Sequence, residues 1–219
     1  MTRRRARHRI HGNPFNIRGE ITAPSWPEVF GRDAPLAVDV GFGPGGFVLE
    51  LARRRPELNV IGIEIRAHFV EGVMAAARQE DLPNVYALLG NANLHLDELF
   101  PDGALALASV NFPDPWYKKR HHKRRVVNRP WLDTLARKLR PDGVFHYVTD
   151  YEPAAREALE LLADHPRFQA DFEPAGEGTE HPSAREFAGE STTGIQSERE
   201  VTHLGRGEPV YRLAYRRAP

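Results

Sequence analysis

The sequence predicts an α/β protein with a mostly parallel sheet and helices on both faces. Short apolar segments alternate with segments of helical periodicity, a glycine-rich turn follows the first apolar segment, and an acidic residue lies at the end of the second. Such alternation is typical of parallel sheets, because two parallel neighbours need a long crossover that is usually helical. The 219 residues are enough for one domain with a substantial core.

The strand predictions depend on short runs of Val, Ile, Leu and Ala with turn residues at their ends. In chain order, the predicted strands cover residues 36–40, 60–65, 85–89, 105–110, 144–149, 168–173 and 210–215. The helix predictions depend on apolar residues three or four positions apart and, in the second helix, on a high alanine content. The predicted helices cover residues 47–55, 67–80, 94–100, 131–139 and 153–163. Pro141 and Gly143 stop the fourth helix, and Pro153 suits the first turn of the fifth.

The domain organisation follows from changes in composition along the chain. Residues 1–31 are basic and then rich in Pro, Gly and Asn, which predicts a partly disordered N-terminal arm. Residues 32–219 are interpreted as a single domain. Within this domain, residues 174–200 are rich in Gly, Glu, Ser and Thr and are predicted to form a long mobile loop.

Composition and charge exclude several classes of site. The chain has no cysteine, so disulfides, thiolate metal ligands and a cysteine nucleophile are excluded. No apolar run approaches the roughly 18 residues of a membrane span, so we expect no membrane contact and a cytoplasmic protein. The 30 basic and 30 acidic residues cancel, and binding of a polyanion therefore requires clustered positive charge. The chain has two such clusters, the arginines of residues 3–9 and the run of residues 118–125.

The turn after the first strand has the features of a nucleotide-type cofactor site. Gly41 and Gly43 allow a sharp turn and a close approach of a ligand to a helix N-terminus. Asp39 would repel a pyrophosphate but attract an ammonium group, and Glu64 suits the hydroxyls of a ribose. This pattern favours S-adenosylmethionine over a nicotinamide dinucleotide. The structural alternatives are a turn acid at Asp39 and a helix-capping acid at Glu64.

Two further side chains have both a functional and a structural interpretation. Asn91, at the end of the third strand, is placed to hydrogen-bond adenine or to cap the helix that follows. Trp116 is either a platform for a nucleobase or a core aromatic. His121 and His122 lie among cations with no acid nearby, so no metal site is predicted there.

The segment after the fourth strand, residues 111–125, is the most informative in the chain. It reads NFPDPWYKKRHHKRR. Pro113 and Pro115 fix their own φ angles and favour extended geometry before them, so Asp114 is held in a stiff corner. A rigid acid next to a dense cationic run indicates chemistry on a polyanion, whereas an exposed basic loop is the structural alternative.

These motifs together resemble the tRNA (guanine-N7-)-methyltransferase family, in its bacterial single-subunit form. The resemblance covers residues 37–216, with the motifs in the same order and spacing. The matching positions are Asp39-Val40-Gly41-Phe42-Gly43, Gly62-Ile63-Glu64, Phe112-Pro113-Asp114-Pro115-Trp116, Lys118, Arg120 through Arg125, Gly143, Val144, Phe145, Thr149, Asp150, Glu198, Gly205, Tyr211 and Arg212. The Phe-Pro-Asp-Pro-Trp motif with its basic continuation is the most specific of them.

The resemblance implies a class I, Rossmann-like methyltransferase fold and methylation of a variable-loop guanosine of tRNA at N7. S-adenosylmethionine would be the methyl donor and S-adenosylhomocysteine the product, without a metal, and the enzyme would be a monomer or homodimer. It implies a catalytic role for Asp114. The implied cofactor-binding residues are Asp39, Gly41, Gly43, Glu64, Asn91 and Asp114. The implied substrate-binding residues are Lys118, Asp150, Ile195, Gln196, Ser197 and Glu198. The implied RNA-binding residues are Arg120, His121, His122, Lys123, Arg124 and Arg125.

The chain departs from the family pattern in two places. The family usually has Asp at the position of Asn91. It also has Thr and an aromatic residue where this chain has Ile195 and Ser197, so that only Glu198 of this motif transfers directly. Three other functions compete with the tRNA assignment: methylation of another RNA, a small molecule or a protein, RNA binding without catalysis, and a nicotinamide-dependent oxidoreduction. The basic run disfavours a small neutral substrate, and the intact acids disfavour a non-catalytic module.

Overall fold

The computed structural model describes residue 17 and residues 19–219, which form a seven-stranded sheet with helices on both faces. The arginines of residues 3–9 lie outside the described residues. The strands are β1 (Leu36–Val40), β2 (Asn59–Glu64), β3 (Val85–Leu89), β4 (Leu105–Asn111), β5 (Leu139–Thr149), β6 (Phe168–Ala170) and β7 (Tyr211–Arg217). The helices are α1 (Trp26–Phe30), α2 (Gly46–Arg54), α3 (Ala67–Gln79), α4 (Ala92–Leu99), α5 (Arg129–Lys138), α6 (Glu152–Ala163) and α7 (Glu198–Leu204).

The order of the strands determines where a ligand can bind. It is β3-β2-β1-β4-β5-β7-β6, with the first five strands of the chain parallel and β7 antiparallel to both of its neighbours. The chain moves outward from β1 to β3 and then returns to the other side of β1 with β4. The crevice at the carboxyl ends of β1 and β4 is therefore the topological switch point, where α/β sheets bind ligands.

Two hydrophobic clusters fill the two sides of the sheet. One packs α1, α4, α5 and α6 against side chains such as Val38 and Ile61, and the other packs α2 and α3 against Ala37 and Val60. Successive residues of β1 and β2 thus face opposite clusters, as the alternation of side chains along a strand requires. This arrangement confirms the predicted fold class.

The structure differs from the sequence predictions mainly outside the parallel core. Trp26 lies within the predicted arm, yet it is buried, stacks on Phe100 and donates from its indole N–H to the Leu99 carbonyl at 2.9 Å. Within the described residues, the packed part of the chain therefore extends to the N-terminal side of residue 32 and includes α1 and Ile21. The predicted loop of residues 174–200 contains two short 3₁₀ turns and leads directly into α7.

Candidate active site

The glycine-rich turn between β1 and α2 adopts a conformation that other residues would resist. Gly41, Gly43 and Gly45 have φ angles of 72°, 56° and 87°, in the left-handed region that side chains disfavour. A Cβ atom on Gly45 would lie 2.0 Å from Cγ2 of Val73. The turn can therefore pack closely on α3 and leave its own backbone open to a ligand.

Asp39 is a buried carboxylate at the end of β1 with one unsatisfied oxygen. Its Oδ1 accepts from Ser109 Oγ at 2.7 Å and from Asn111 Nδ2 at 3.1 Å. Its Oδ2 is buried without a hydrogen-bond partner among the described residues. Burial raises the pKa of Asp39 to about 7, although the two hydrogen bonds oppose this. A cation that paired with this oxygen would stabilise the ionised form of Asp39.

Glu64, at the end of β2, has both carboxylate oxygens engaged by its own chain. Oε2 accepts from the Gly43 backbone N–H at 2.9 Å, and Oε1 accepts from the Ile65 and Arg66 backbone N–H groups at 2.8 and 3.1 Å. The Arg66 side chain also reaches both oxygens. Glu64 therefore ties the glycine turn to the end of β2 and presents a fixed carboxylate at the crevice.

Asn91 has the structural role that the sequence left open, and it also faces the crevice. Its Oδ1 accepts from the Asn93 backbone N–H at 3.1 Å, which caps α4. Its own backbone N–H donates to His95 Nδ1 at 3.1 Å. The residue lines the same recess as Glu64, so its side chain is held by the cap next to a candidate ligand site.

Two adjoining recesses form one cleft along the carboxyl ends of β1 to β4. The first contains Glu64 and Asn91, and the second contains Asp39 and Glu198. Four residues line both recesses: Gly41, Arg66, Phe112 and Asp114. The structure therefore brings the predicted cofactor residues and Asp114 together in one cleft.

The loop that carries Asp114 is held in an unusual backbone conformation. Phe112 and Trp116, on either side of the two prolines, have φ angles of 48° and 45°. Non-glycine residues adopt such angles only where their surroundings enforce them. Arg125 supplies part of this constraint, because its Nε donates to the Pro115 carbonyl at 2.9 Å.

Arg125 is a structural residue, which corrects its assignment to RNA binding. It is buried, at 8% exposure, and it forms an ion pair with Glu157 of α6. A guanidinium enclosed in this way is poorly accessible to a phosphate. The sequence could not separate it from its exposed neighbours because its partner lies 32 residues away.

The rest of the basic run forms a 3₁₀ helix over Lys119–Arg124. Arg120 and Lys123 are exposed, as is Lys118 just before the helix, and none of these three lines the cleft. His121 and His122 are half-buried, and partial desolvation, aided by neighbouring cations, lowers the pKa of His121. The exposed cations thus form a charged rim beside the cleft.

The predicted substrate stretch of residues 195–198 divides into different roles. Ile195 is buried in the same cluster as α2 and α3, so it is a core residue rather than a substrate contact. Gln196 is exposed, and Ser197 caps α7 by accepting from the Glu200 backbone N–H at 3.3 Å. Only Glu198 and Ser197 line the recess that contains Asp39. Glu198 packs against the start of α2, since a Cβ on Gly46 would lie 3.3 Å from its Oε1.

Asp150 positions α7 instead of lining the cleft. Its Oδ2 accepts from Arg199 at 2.7 Å and lies 3.1 Å from Nε2 of His203. The Arg199 guanidinium in turn lies 5.2 Å from the ring centroid of Phe112. The end of β5, α7 and the Asp114 loop are therefore joined through these side chains.

Sequence reasoning missed one residue that shapes the cleft, Arg66, and assigned no role to Arg212, which holds α7. Arg66 lines both recesses, and its guanidinium lies over the Phe69 ring at 4.5 Å. Arg212 forms a buried ion pair with Glu200 at 2.6 Å, which fixes α7 on β7. A cation two residues after the acid of β2 was a signal for Arg66. Arg212 was a matching position of the resemblance, but nothing in the sequence indicated that Glu200 is its partner.

Comparisons with known proteins identify the family. A family model described as "Putative methyltransferase" matches residues 33–209. A tRNA (guanine-N(7)-)-methyltransferase of Synechococcus elongatus is 35% identical over 221 residues, which cover 98% of each chain. One from Cronobacter sakazakii is 38% identical over 157 residues, which cover 72% of this chain and 65% of the relative.

Solved structures agree at the level of the fold. The 16S rRNA methyltransferase KamB superposes with a TM-score of 0.58 at 17% identity, covering 92% of this chain and 96% of that one. The aminoglycoside resistance methyltransferase NpmB1 gives 0.55 at 20% identity, covering 87% and 91%. The sheet, its switch-point cleft and these similarities agree with one another, and the chain belongs to the tRNA (guanine-N(7)-)-methyltransferase family, with the class I methyltransferase fold.

Proposed function

We propose that this protein transfers the methyl group of S-adenosylmethionine to N7 of a variable-loop guanosine in tRNA. The main support for the proposal is the shared cleft. Asp39 and Asp114 line one of its recesses, and the charged rim begins next to it. Membership of the family is the reason for proposing tRNA as the substrate and guanine N7 as the methylated atom. The catalytic domain would comprise residues 32–219 together with α1, acting in the cytoplasm as a monomer or homodimer.

The residues of the cleft fit this methyl donor. When bound, the donor supplies an activated methyl group on a positively charged sulfur. The unpartnered Oδ2 of Asp39 suits the ammonium of its methionine part, and Glu64 suits the ribose hydroxyls. Asn91 would hydrogen-bond adenine, and the turn at Gly41 and Gly43 would let the backbone approach the ligand.

Asp114 would act by position and charge. Guanine N7 has an in-plane lone pair and no proton, so the attack needs alignment more than a base, and alignment alone can lower a barrier by several kcal/mol. Positive charge develops on the purine during transfer, and its N1–H and N2–H become stronger donors. A fixed carboxylate facing that edge stabilises the transition state more than the ground state. Asp114, which lines the recess, is the first candidate for this carboxylate, and Glu198 of the same recess is the second.

The charged rim would bind the RNA backbone. Lys118, Arg120 and Lys123 are exposed and unrestricted by burial, which suits contacts to phosphates that are independent of sequence and sensitive to salt. Recognition would then depend on RNA shape and on a guanosine displaced from its stack.

One experiment tests the assignment. The protein is incubated with labelled S-adenosylmethionine and unmodified tRNA, and the product is cleaved with borohydride and aniline, which break the chain at N7-methylguanosine. Scission at a variable-loop guanosine is expected. Label in RNA without such scission, or label only in small molecules, would contradict the proposal and favour the alternative of a methyltransferase with another substrate.

A further inference from the structure

We propose that Tyr117 is a stacking platform for an unpaired nucleobase next to the guanosine that is methylated. The inference rests on the proposed function and adds a contact outside the motifs of the resemblance. Tyr117 is 67% exposed, the largest value among the exposed large hydrophobic side chains in the described part of the chain. Single exposed aromatic side chains are common on protein surfaces, so exposure alone does not indicate a binding site.

Its place in the chain lies between the acid and the cations. Asp114 lines the cleft three residues before it, and exposed Lys118 follows it directly. An RNA strand whose guanosine enters the cleft and whose phosphates contact the charged rim would pass close to this residue, because the chain connects the two through it. Unstacked bases of RNA loops are commonly bound on aromatic rings in such surroundings.

The ring of Tyr117 is held in place before any ligand arrives. It packs edge-to-face on Tyr151, with ring centroids 4.9 Å apart and an interplanar angle of 80°. Tyr151 is half-buried and directly precedes α6, and the loop backbone is fixed by Arg125 at the Pro115 carbonyl. A side chain that is already oriented loses little conformational entropy when a base stacks on it.

The neighbouring Trp116 is less suited to this task. The Arg124 guanidinium lies 4.9 Å from its ring centroid, and His121 contacts it at 5.9 Å with the rings nearly perpendicular. Trp116 is also half-buried. Trp116 lines the recess that contains Glu64 and Asn91, so its ring belongs to the cleft, and Tyr117 is the aromatic exposed for a neighbouring base outside it.

The test compares four variants at one position: Tyr117→Ala, Tyr117→Leu, Tyr117→Phe and Tyr117→Trp. Leu retains apolar bulk without an aromatic face, whereas Phe and Trp retain the face. For each protein, the Kd for tRNA, the KM and kcat of tRNA methylation and the Kd for S-adenosylhomocysteine are measured. A synthetic tRNA with 2-aminopurine beside the target guanosine reports stacking directly through quenching of its fluorescence.

We expect the Ala and Leu variants to raise the Kd and KM for tRNA about tenfold, which corresponds to about 1.4 kcal/mol of lost stacking. Their kcat should stay near that of the wild type, because the contact exists in both ground and transition states. Phe and Trp should restore binding and quenching, and affinity for S-adenosylhomocysteine should not change.

Three outcomes would overturn the inference. Unchanged tRNA affinity in the Ala and Leu variants would mean that the ring contacts no RNA base, as for a protein-docking or merely exposed residue. A parallel loss of S-adenosylhomocysteine affinity would mean that Tyr117 supports the fold. Binding restored equally by Leu and Phe would exclude stacking. Failure of the wild type to methylate tRNA would instead refute the proposed function, so the two failures are distinguishable.

Discussion

Arg66 donates to both carboxylate oxygens of Glu64, from Nε to Oε1 at 3.0 Å and from Nη2 to Oε2 at 3.0 Å. With the backbone donors of Gly43, Ile65 and Arg66 added, the carboxylate has five hydrogen-bond donors within the described part of the chain. A ribose diol needs the same oxygens as acceptors. The side chain of Arg66 would therefore compete for Glu64 with the ribose of the proposed cofactor.

This competition predicts that Arg66→Ala binds S-adenosylhomocysteine more tightly. The increase should be about 3- to 10-fold, since a partly exposed ion pair is worth roughly 1 kcal/mol. Isothermal titration calorimetry measures the change. Arg53→Ala, which removes an exposed ion pair to Glu80 on the outer side of α2, is the matched control and should leave affinity unchanged. Weaker binding by Arg66→Ala would show that the guanidinium contacts the cofactor instead.

Asp39 predicts opposite effects on stability and on binding. Its folded-state pKa is about 7 against 3.8 for the free side chain, so folding becomes less favourable as the pH rises from about 4 to 7. Asp39→Asn should therefore raise the free energy of unfolding at pH 8.5 by roughly 1–3 kcal/mol, since about 3 pKa units correspond to about 4 kcal/mol and the buried amide costs part of this. The same variant should lose cofactor affinity.

Urea denaturation at pH 8.5 and at pH 4.5 checks the first half of this prediction. The advantage of Asp39→Asn should shrink at the lower pH, where the wild-type carboxyl is protonated in the folded state. An equal advantage at both pH values would mean that burial of the charge is not its cause.

Cofactor affinity of the wild type should also depend on pH. Pairing with an ammonium requires ionised Asp39, so the affinity for S-adenosylhomocysteine should fall between pH 7.5 and pH 5.5, approaching tenfold per unit at the lower end. Calorimetry across this range gives the slope. The described residues that line the two recesses include no histidine, so a flat profile would contradict the role of Asp39.

Asp114→Asn should lower kcat by about 10²- to 10³-fold and leave the Kd for tRNA within about threefold of the wild type. The amide keeps the size of the side chain but removes the charge that stabilises the purine in the transition state. Single-turnover methylation and filter binding separate the two effects. If tRNA affinity falls in parallel with kcat, Asp114 is needed for binding and the electrostatic role is wrong.

Substitutions in the charged rim should change the salt dependence of tRNA binding, whereas substitution of Arg125 should change the stability of the fold. Replacing Arg120 and Lys123 with Ala should reduce the slope of log Kd against log salt by about 1 to 2 for tRNA, with little change in melting temperature. Arg125→Met should instead lower the free energy of unfolding by about 1–2 kcal/mol, because it removes the buried hydrogen bond to the Pro115 carbonyl and the ion pair to the partly exposed Glu157. An Arg125→Met protein of normal stability would contradict its structural assignment.

The parallel core was predictable because its strands are short apolar runs with clear ends. β1 and β3 match the predicted ranges at both ends. α7 was missed inside a polar stretch, although Ser197 and Glu200 have the spacing of a capping box. α1 has only five residues and no periodicity, so the burial of Trp26 has no local signal.

The site could be predicted where a residue type suits one kind of chemistry. It was harder to predict where the role of a residue depends on whether its side chain is buried. Asp39 and Glu64 end adjacent parallel strands, so their shared cleft follows from the topology. Ile195 was assigned by position in a motif, although an apolar residue in a polar stretch is more often a buried anchor, as it is here. The pairing of Arg66 with Glu64 depends on side-chain direction, which spacing does not reveal.

The division of labour along the sheet has a consequence for protein engineering. The candidate cofactor side chains come from the ends of β1, β2 and β3, whereas the acid, the aromatic platform and the cations follow β4 in one continuous stretch. Two contacts of Arg125 hold that stretch in place: its hydrogen bond to the Pro115 carbonyl and its ion pair with Glu157 of α6. Residues 111–125, transplanted with an acid at position 157, form a cassette through which a related scaffold could be redirected to a different nucleic acid, provided that Asn111 still donates to the acid of β1 and Asp114 still lines the cofactor recess.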